Sequence, residues 1–198
     1  MKALYFFSYL LLTFHSSFSQ QDTVVTDINH NKYTVKLFPD GNLWITTNLS
    51  VYILGSYCYE NKSGNCNQYG RLYTYTSAKD VCSLLGNGWR LPTEDEWYRL
   101  AASFSPGSHD SNEVRKNSYQ HLVANGGSGF NALLGGGRDL TGNYARINAH
   151  GFYWTATETD SDNATFANFA SGGKALFLQT EGEKERAFSV RCIKSGAK

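Results

Sequence analysis

Residues 153–163, YWTATETDSDN, hold the richest set of binding groups in the 198-residue chain. Tyr153 and Trp154 run into a segment bearing Glu158, Asp160, Asp162 and Asn163. Carboxylates and amides beside an aromatic face are what a sugar site uses, and the same oxygens suit a calcium ion. A solvated loop following a strand has this composition too. If the chain cleaved glycans instead of holding them, Glu158 and Asp162 would serve as acid and base. The two carboxyls would then face each other across a cleft, roughly 5–10 Å apart.

Arg138 is the remaining candidate ligand contact. It ends the run Gly135-Gly136-Gly137-Arg138, which invites comparison with a phosphate-binding loop. Such a loop joins a strand to a helix and carries Lys-Ser/Thr or a G-x-G-x-x-G order, whereas Asp139-Leu140-Thr141-Gly142 follows here as a turn. There is no G-x-S-x-G elbow. His30, His109, His121 and His150 lie apart in polar surroundings and read as surface residues. Asp27-x-Asn29-x-Asn31 opens like a calcium loop, but Lys32 and Phe38 stand where an EF-hand needs Gly and a carboxylate, so it reads as a turn. No cofactor is therefore expected; calcium fits the residue types of 158–163 without a motif to indicate it.

Four cysteines follow the leader described next, at Cys58, Cys66, Cys82 and Cys192. Zinc is disfavoured by the absence of C-x-x-C or a His pair at ligand spacing. An even count behind an export signal favours disulfides. Three pairings are open; we favour a local Cys58–Cys66 staple and a long Cys82–Cys192 link. With all four oxidised, no thiol nucleophile remains.

The first nineteen residues read as an export signal, with Lys2 at the positive end, an apolar run from Leu4 to Phe14, and Ser17-Phe18-Ser19 as a small-x-small cleavage site. The mature chain is expected to begin at Gln20. The apolar run is about half of what a membrane-spanning helix needs, so no span is expected after cleavage. Of 18 Lys and Arg one lies in the leader, leaving 17 against 17 Asp and Glu. A neutral chain has no electrostatic footprint for nucleic acid. Residues 20–198 are the size of one domain, secreted, extracellular or periplasmic.

The elements that must position these groups follow from pattern. Residues 23–47 predict short strands (TVVTDI, YTVKLF, LWITT), with Asp40-Gly41 as a hairpin turn. Residues 50–70 predict a stapled loop. Apolar spacing from Ser77 to Leu85 predicts a first short helix, capped by Ser77, ended by Gly86 and carrying Cys82 inward. Thr93 with Glu96 three residues on is a capping box, predicting a second helix from Glu94 to about Ser103. Its acids suit the positive end of the helix dipole. Residues 105–129 read as a long connection with one helical turn at Tyr119–Val123. Strands return in FNALL, NYARI, FYWTAT, TFANF, KALFLQ and AFSVRCIK. The whole is an α+β domain whose two ends can share one sheet.

The pieces occur in an order that resembles the FISUMP family, the Fibrobacter succinogenes major paralogous domain, over nearly all of 23–194. The resemblance is carried by Trp44, Asn48-Leu49, Tyr69-Gly70-Arg71-Leu72-Tyr73, Gly88-Trp89-Arg90-Leu91-Pro92-Thr93 with Glu96-Trp97, Gly129-Phe130-x-Ala132-Leu133, Gly136-x-Arg138-Asp139, Tyr153-Trp154 and Phe188-Ser189-Val190-Arg191-Cys192. It implies a secreted or surface protein of Bacteroidota or Fibrobacter-type bacteria. It also implies a C-type lectin-like fold with two short helices, antiparallel sheets, long loops and disulfides, in which a long disulfide joins the first helix to the last strand, where Cys82 and Cys192 stand.

Arg90-Leu-Pro-Thr-Glu-x-Glu-Trp97 is also similar to a motif of formylglycine-generating enzymes. Those need a reactive cysteine pair near the C-terminus, where this chain has Cys192 alone. The E-P-N, Q-P-D and W-N-D motifs of calcium-dependent sugar binding are absent. The expectation is a secreted or surface-exposed, non-catalytic binding or adhesion module whose partner is an extracellular polysaccharide or a surface protein. The competing classes are a glycan-active enzyme or accessory factor, and a purely structural surface protein.

Overall fold

The computed structural model describes residues 23–86 and 88–196; the expected export signal, residues 1–19, lies outside them. Three alternating strands open the chain, β1 (Thr23–Thr26), β2 (Lys32–Leu37) and β3 (Asn42–Ile45). They pair antiparallel through the Asp27 and Asp40-Gly41 turns. The Asp27 carboxylate accepts from Asn29 N, Asn31 N, Asn31 Nδ2 and the Tyr33 hydroxyl, the last at 2.6 Å. Its oxygens are thus spent on the turn it closes. The final strand, β12 (Ile193–Ser195), adds beside β3. The chain's two ends therefore share one sheet, in the order β1-β2-β3-β12.

A second, mixed sheet holds the middle of the chain. Its strands are β4 (Ser56–Tyr57), β5 (Leu72–Thr74), β6 (Gly135–Arg138), β7 (Tyr144–Ile147), β8 (His150–Glu158), β9 (Asn163–Ala170), β10 (Ala175–Glu183) and β11 (Ala187–Phe188). They lie in the order β10-β9-β8-β6-β11-β5-β4, with β7 hairpinned onto β6. The architecture is α+β, with both favoured disulfides formed: Cys58–Cys66 and Cys82–Cys192.

Among the described residues four α-helices stand where two were expected. Helix α1 (Ser63–Tyr69) lies inside the stapled loop, and only its Cys66 is buried. Too polar to announce itself, it is held by the bridge and by Asn65 Nδ2 donating to Tyr59 O at 2.9 Å. Helix α2 (Tyr75–Val81) begins two residues before Ser77, whose hydroxyl donates to Leu54 O instead of capping. It tightens into a 3₁₀ turn, Cys82–Leu85, that ends at Gly86 with φ 101°. Cys82 thus sits on the turn after α2, and Cys192 immediately before β12.

Helix α3 (Glu94–Ala102) carries the complete capping box. Glu96 also accepts two bonds from Arg90, at 2.7 and 2.6 Å. Burial alone would raise the Glu96 carboxyl, but Arg90 and Thr93 hold it below its ordinary value. Helix α4 (Ser111–Leu122) replaces most of the expected connection. Asp110 caps it, and Val114, Ser118, Tyr119 and Leu122 bury one face at helical spacing.

Helices α3 and α4 pack over the face of β8–β10 that carries Tyr153 and Phe169. There Trp44, Trp97, Phe130, Tyr153 and Phe169 form an aromatic cluster, with Trp44 and Trp97 edge-on at 5.0 Å. One further expectation changes. FNALL contributes a single bridge, Val123 with Ala132, rather than a strand. Gly135-Gly136-Gly137-Arg138 is a strand, and the expected turn follows it at Asp139-Leu140-Thr141-Gly142.

Candidate functional site

The β8, β9 and β10 register sets the face opposite the helices. Phe152 pairs with Asn168, Trp154 with Phe166, and Phe166 with Gln179. Paired residues project to one side of a sheet, as do residues two apart. His150, Phe152, Phe166, Asn168 and Gln179 therefore floor a cleft of ≈ 490 Å³. Arg138 and Asp139 at the end of β6, Arg146 on β7, and Arg186 before β11 form its walls.

The floor has an apolar and a polar part. The His150 ring stacks on Phe152 at 5.3 Å and 18°. Phe152 packs on Phe188 at 5.1 Å and on Phe166 at 5.9 Å. Asn168 Nδ2 donates to Gln179 Oε1 at 2.7 Å, so its Oδ1 is the end that lies 2.9 Å from His150 Nδ1. An amide oxygen only accepts, so His150 Nδ1 is the donor of this bond. A half-buried aromatic ring, an imidazole and two amides along one line can stack on an apolar sugar face and bond its hydroxyls.

The glycines of β6 make the wall fit. A Cβ on Gly137 would meet the Phe188 ring at 3.0 Å and the Phe152 ring at 3.2 Å. At Gly136, with φ +65°, it would strike Ala145 O at 2.5 Å. The run is a thin strand pressed between its hairpin partner and the phenylalanine floor. It delivers Arg138 to the cleft, where the guanidinium lies over the Tyr57 ring at 4.2 Å.

Residues 40–194 match the family model of the Fibrobacter succinogenes major domain. The chain belongs to this family. No curated protein and no solved structure matches it. The match starts after β1 and β2, so the first hairpin lies upstream of the FISUMP region proper.

Most positions that carry the FISUMP resemblance are interior. Trp44, Leu49, Tyr73, Trp97, Phe130, Tyr153, Trp154, Val190, Arg191 and Cys192 have no exposed surface. Arg138 is an exception, half-buried and lining the cleft.

The structure separates the seven candidate contacts. Arg138 alone reaches the cleft. Tyr153 and Trp154 are fully buried on opposite faces of β8, Tyr153 against Trp97 and Phe169, Trp154 against Phe188 at 4.5 Å. Adjacent strand residues point to opposite sides, so this pair forms no single aromatic face, and neither ring has a surface left for a ligand.

Glu158, Asp160, Asp162 and Asn163 lie in the β8–β9 turn at the far end of β8, about 20 Å along the strand from Phe152. The oxygens there already hold a cation of the chain's own. Lys184 Nζ donates to Glu158 Oε2 at 2.9 Å, Asp160 O at 2.8 Å and Ser161 O at 2.9 Å. Asp160 Oδ1 accepts from Asp162 N and Asn163 N, both at 2.8 Å. An ammonium thus stands among the Glu158, Asp160 and Ser161 oxygens of this loop. Among the described residues no group of three or more His, Cys, Asp or Glu is arranged to hold a metal.

Lys79 and Lys184 hold the Glu158 carboxyl down from an ordinary 4.5 to about 2. A depressed carboxyl contributes stability that is present above about 4.5 and lost as pH falls toward about 2. In Lys184→Met, the Glu158 titration followed by NMR is expected to move part of the way back to 4.5, with Lys79 still paired at 2.9 Å. An unmoved titration would mean that Lys184 does not set it.

Phe152, Phe166, Asn168, Gln179, Arg146 and Arg186 were missed, and His150 was read as an isolated surface residue. The signal available is the strand period of two, in which residues two apart share a face: it joins His150 to Phe152, and Phe166 to Asn168.

Proposed function

We propose that this chain is a secreted, non-catalytic binding module of the bacterial cell exterior, built on a C-type lectin-like fold, that recognises an extracellular polysaccharide in the β6–β10 cleft. The observation that carries the reading is the cleft floor, a half-buried phenylalanine beside a His150–Asn168–Gln179 line of hydrogen-bonding groups. Two disulfides support an oxidising compartment, and no described helix is long and apolar enough to cross a membrane. The lectin-like part rests on the shared sheet of the two chain ends and on the long Cys82–Cys192 bridge.

The non-catalytic part is supported by the state of Glu158. A carboxyl held at about 2 by two lysines has no proton to deliver near neutral pH.

Purified Gln20–Lys198 applied to an array of bacterial and plant polysaccharides, with calcium and with a chelator, tests the reading. Binding is expected to survive the chelator and to fall at least about tenfold in His150→Ala and Gln179→Ala. Binding to no glycan would overturn the polysaccharide reading. Binding that needs calcium, or that ignores both substitutions, would move the site elsewhere.

A further inference from the structure

We propose that the ligand of this cleft is anionic, a polysaccharide bearing carboxylates on its sugar rings, and that Arg138 and Arg146 are the residues that select it. The inference rests on the polysaccharide reading above and adds the charge of the substrate class.

The chain's 18 basic and 17 acidic residues nearly balance, but the cleft does not share that balance. Three guanidiniums, Arg138, Arg146 and Arg186, face a single lining carboxylate, Asp139. Asp139 is occupied by its own turn: Oδ1 accepts from Thr141 Oγ1 at 2.7 Å, Asn143 N at 2.8 Å and Thr141 N at 2.9 Å. Arg186 is paired with Glu183. Among the described residues, Arg138 and Arg146 have no carboxylate within ion-pair distance. Two unneutralised arginines on one cleft are where the field of a neutral chain concentrates.

Their placement suits carboxylate recognition rather than diffuse attraction. The Arg138 guanidinium lies over the Tyr57 ring at 4.2 Å, an aromatic face that restricts its motion. A planar fork held in place gives up little freedom when it takes a carboxylate through two parallel bonds. Arg146 is exposed and sits at φ 70°, a left-handed backbone uncommon for a side chain of this size. It stands on β7, one residue before the strand ends, and lines the cleft wall. The Phe152 and His150 rings supply the stacking surface for the apolar face of a pyranose between the two cations.

Direct binding measurements with polygalacturonate, its fully methyl-esterified form, dextran sulfate and a neutral glucan test the proposal. The acid form is expected to bind, and esterification, which removes the charge and keeps the sugar, to weaken it at least about tenfold. Arg138→Gln and Arg146→Gln are each expected to weaken it about tenfold, and affinity to fall as salt rises. Arg146 is exposed, so its variant keeps the test valid if Arg138→Gln loses its fold, which thermal unfolding would reveal.

Equal binding of ester and acid, or undiminished binding by both arginine variants, would overturn the proposal. Dextran sulfate bound as tightly as polygalacturonate would also overturn it, since sulfate density alone would then suffice. Neutral glucan bound in a way that Gln179→Ala abolishes, with the acids ignored, would sink the anionic inference and leave the polysaccharide reading standing. No binding to any of these or to the wider array would sink both.

Discussion

Replacing Cys82 and Cys192 together by Ala is expected to lower the free energy of unfolding by about 4–5 kcal/mol on the chain-entropy scale. The bridge joins residues 110 apart, so breaking it frees a very large loop in the unfolded chain. Both residues have no exposed surface, and trimming their sulfurs also leaves a small void in the core. The Cys58–Cys66 bridge spans eight residues and is expected to contribute about 2.5 kcal/mol on the same scale. Urea unfolding of the two double variants beside the parent chain measures both. Domains of this size hold about 5–15 kcal/mol in total, so the first loss removes a large part of the reserve and the second does not. A loss under about 2 kcal/mol at Cys82–Cys192 would mean that the β3–β12 ladder and the Arg90–Ile193 bridge close the loop unaided.

The bridge also shows why some of the architecture was legible in the sequence. Local chemistry with one favourable outcome was readable: Asp40-Gly41 between alternating strands, Thr93 with Glu96 as a capping box, an even cysteine count with one short spacing. Of helix α4 only the last turn, at Tyr119–Val123, is legible, because the rest is polar, although Asp110 and the spacing of Val114, Ser118, Tyr119 and Leu122 mark it. Its burial comes from α3 and β10, partners that no local window contains.

The candidate site was the least legible part, for a related reason. Tyr153 and Trp154 drew attention as neighbours, yet neighbours on a strand serve opposite faces. The cleft is assembled from six strands and their connections, and the register that brings Asn168 beside Phe152 is set by pairing between strands. Charge was equally hidden. Glu158 and Asp160 read as open carboxylates until Lys184, more than twenty residues later, closes on the same loop. Arg138 was found through its place in a glycine run, and the glycines proved to be what lets that strand lie against Phe152 and Phe188.

Replacing Arg191 by Met is expected to destabilise the fold by about 3–5 kcal/mol, the cost of opening a buried charged network. Its guanidinium is fully buried, and among the described residues no carboxylate pairs with it. Four oxygens replace water instead. Nε donates to Asn48 Oδ1 at 2.8 Å, Nη1 to Phe130 O at 2.7 Å and Ile45 O at 3.2 Å, and Nη2 to Asn131 O at 2.7 Å. The Phe130 and Tyr153 rings cover its faces at 4.8 and 5.6 Å. Burial lowers its pKa, yet a guanidinium remains protonated at any physiological pH. Met matches the stem in length but leaves those oxygens without donors, and each of the buried ones, Asn48 Oδ1, Ile45 O and Phe130 O, costs about 1–3 kcal/mol. Arg191→Lys is expected to recover only part of the loss, because one ammonium cannot reach acceptors spread around a planar fork. The same contacts pin Phe130 and Asn131, a few residues before β6, so the β6 wall of the cleft is expected to loosen with the core. Hydrogen exchange at Gly135–Arg138 in Arg191→Lys would register it. Urea unfolding of Arg191→Met with no loss of stability would show that an apolar side chain fills the site as well, and that Arg191 is not what joins the last strand to the cleft.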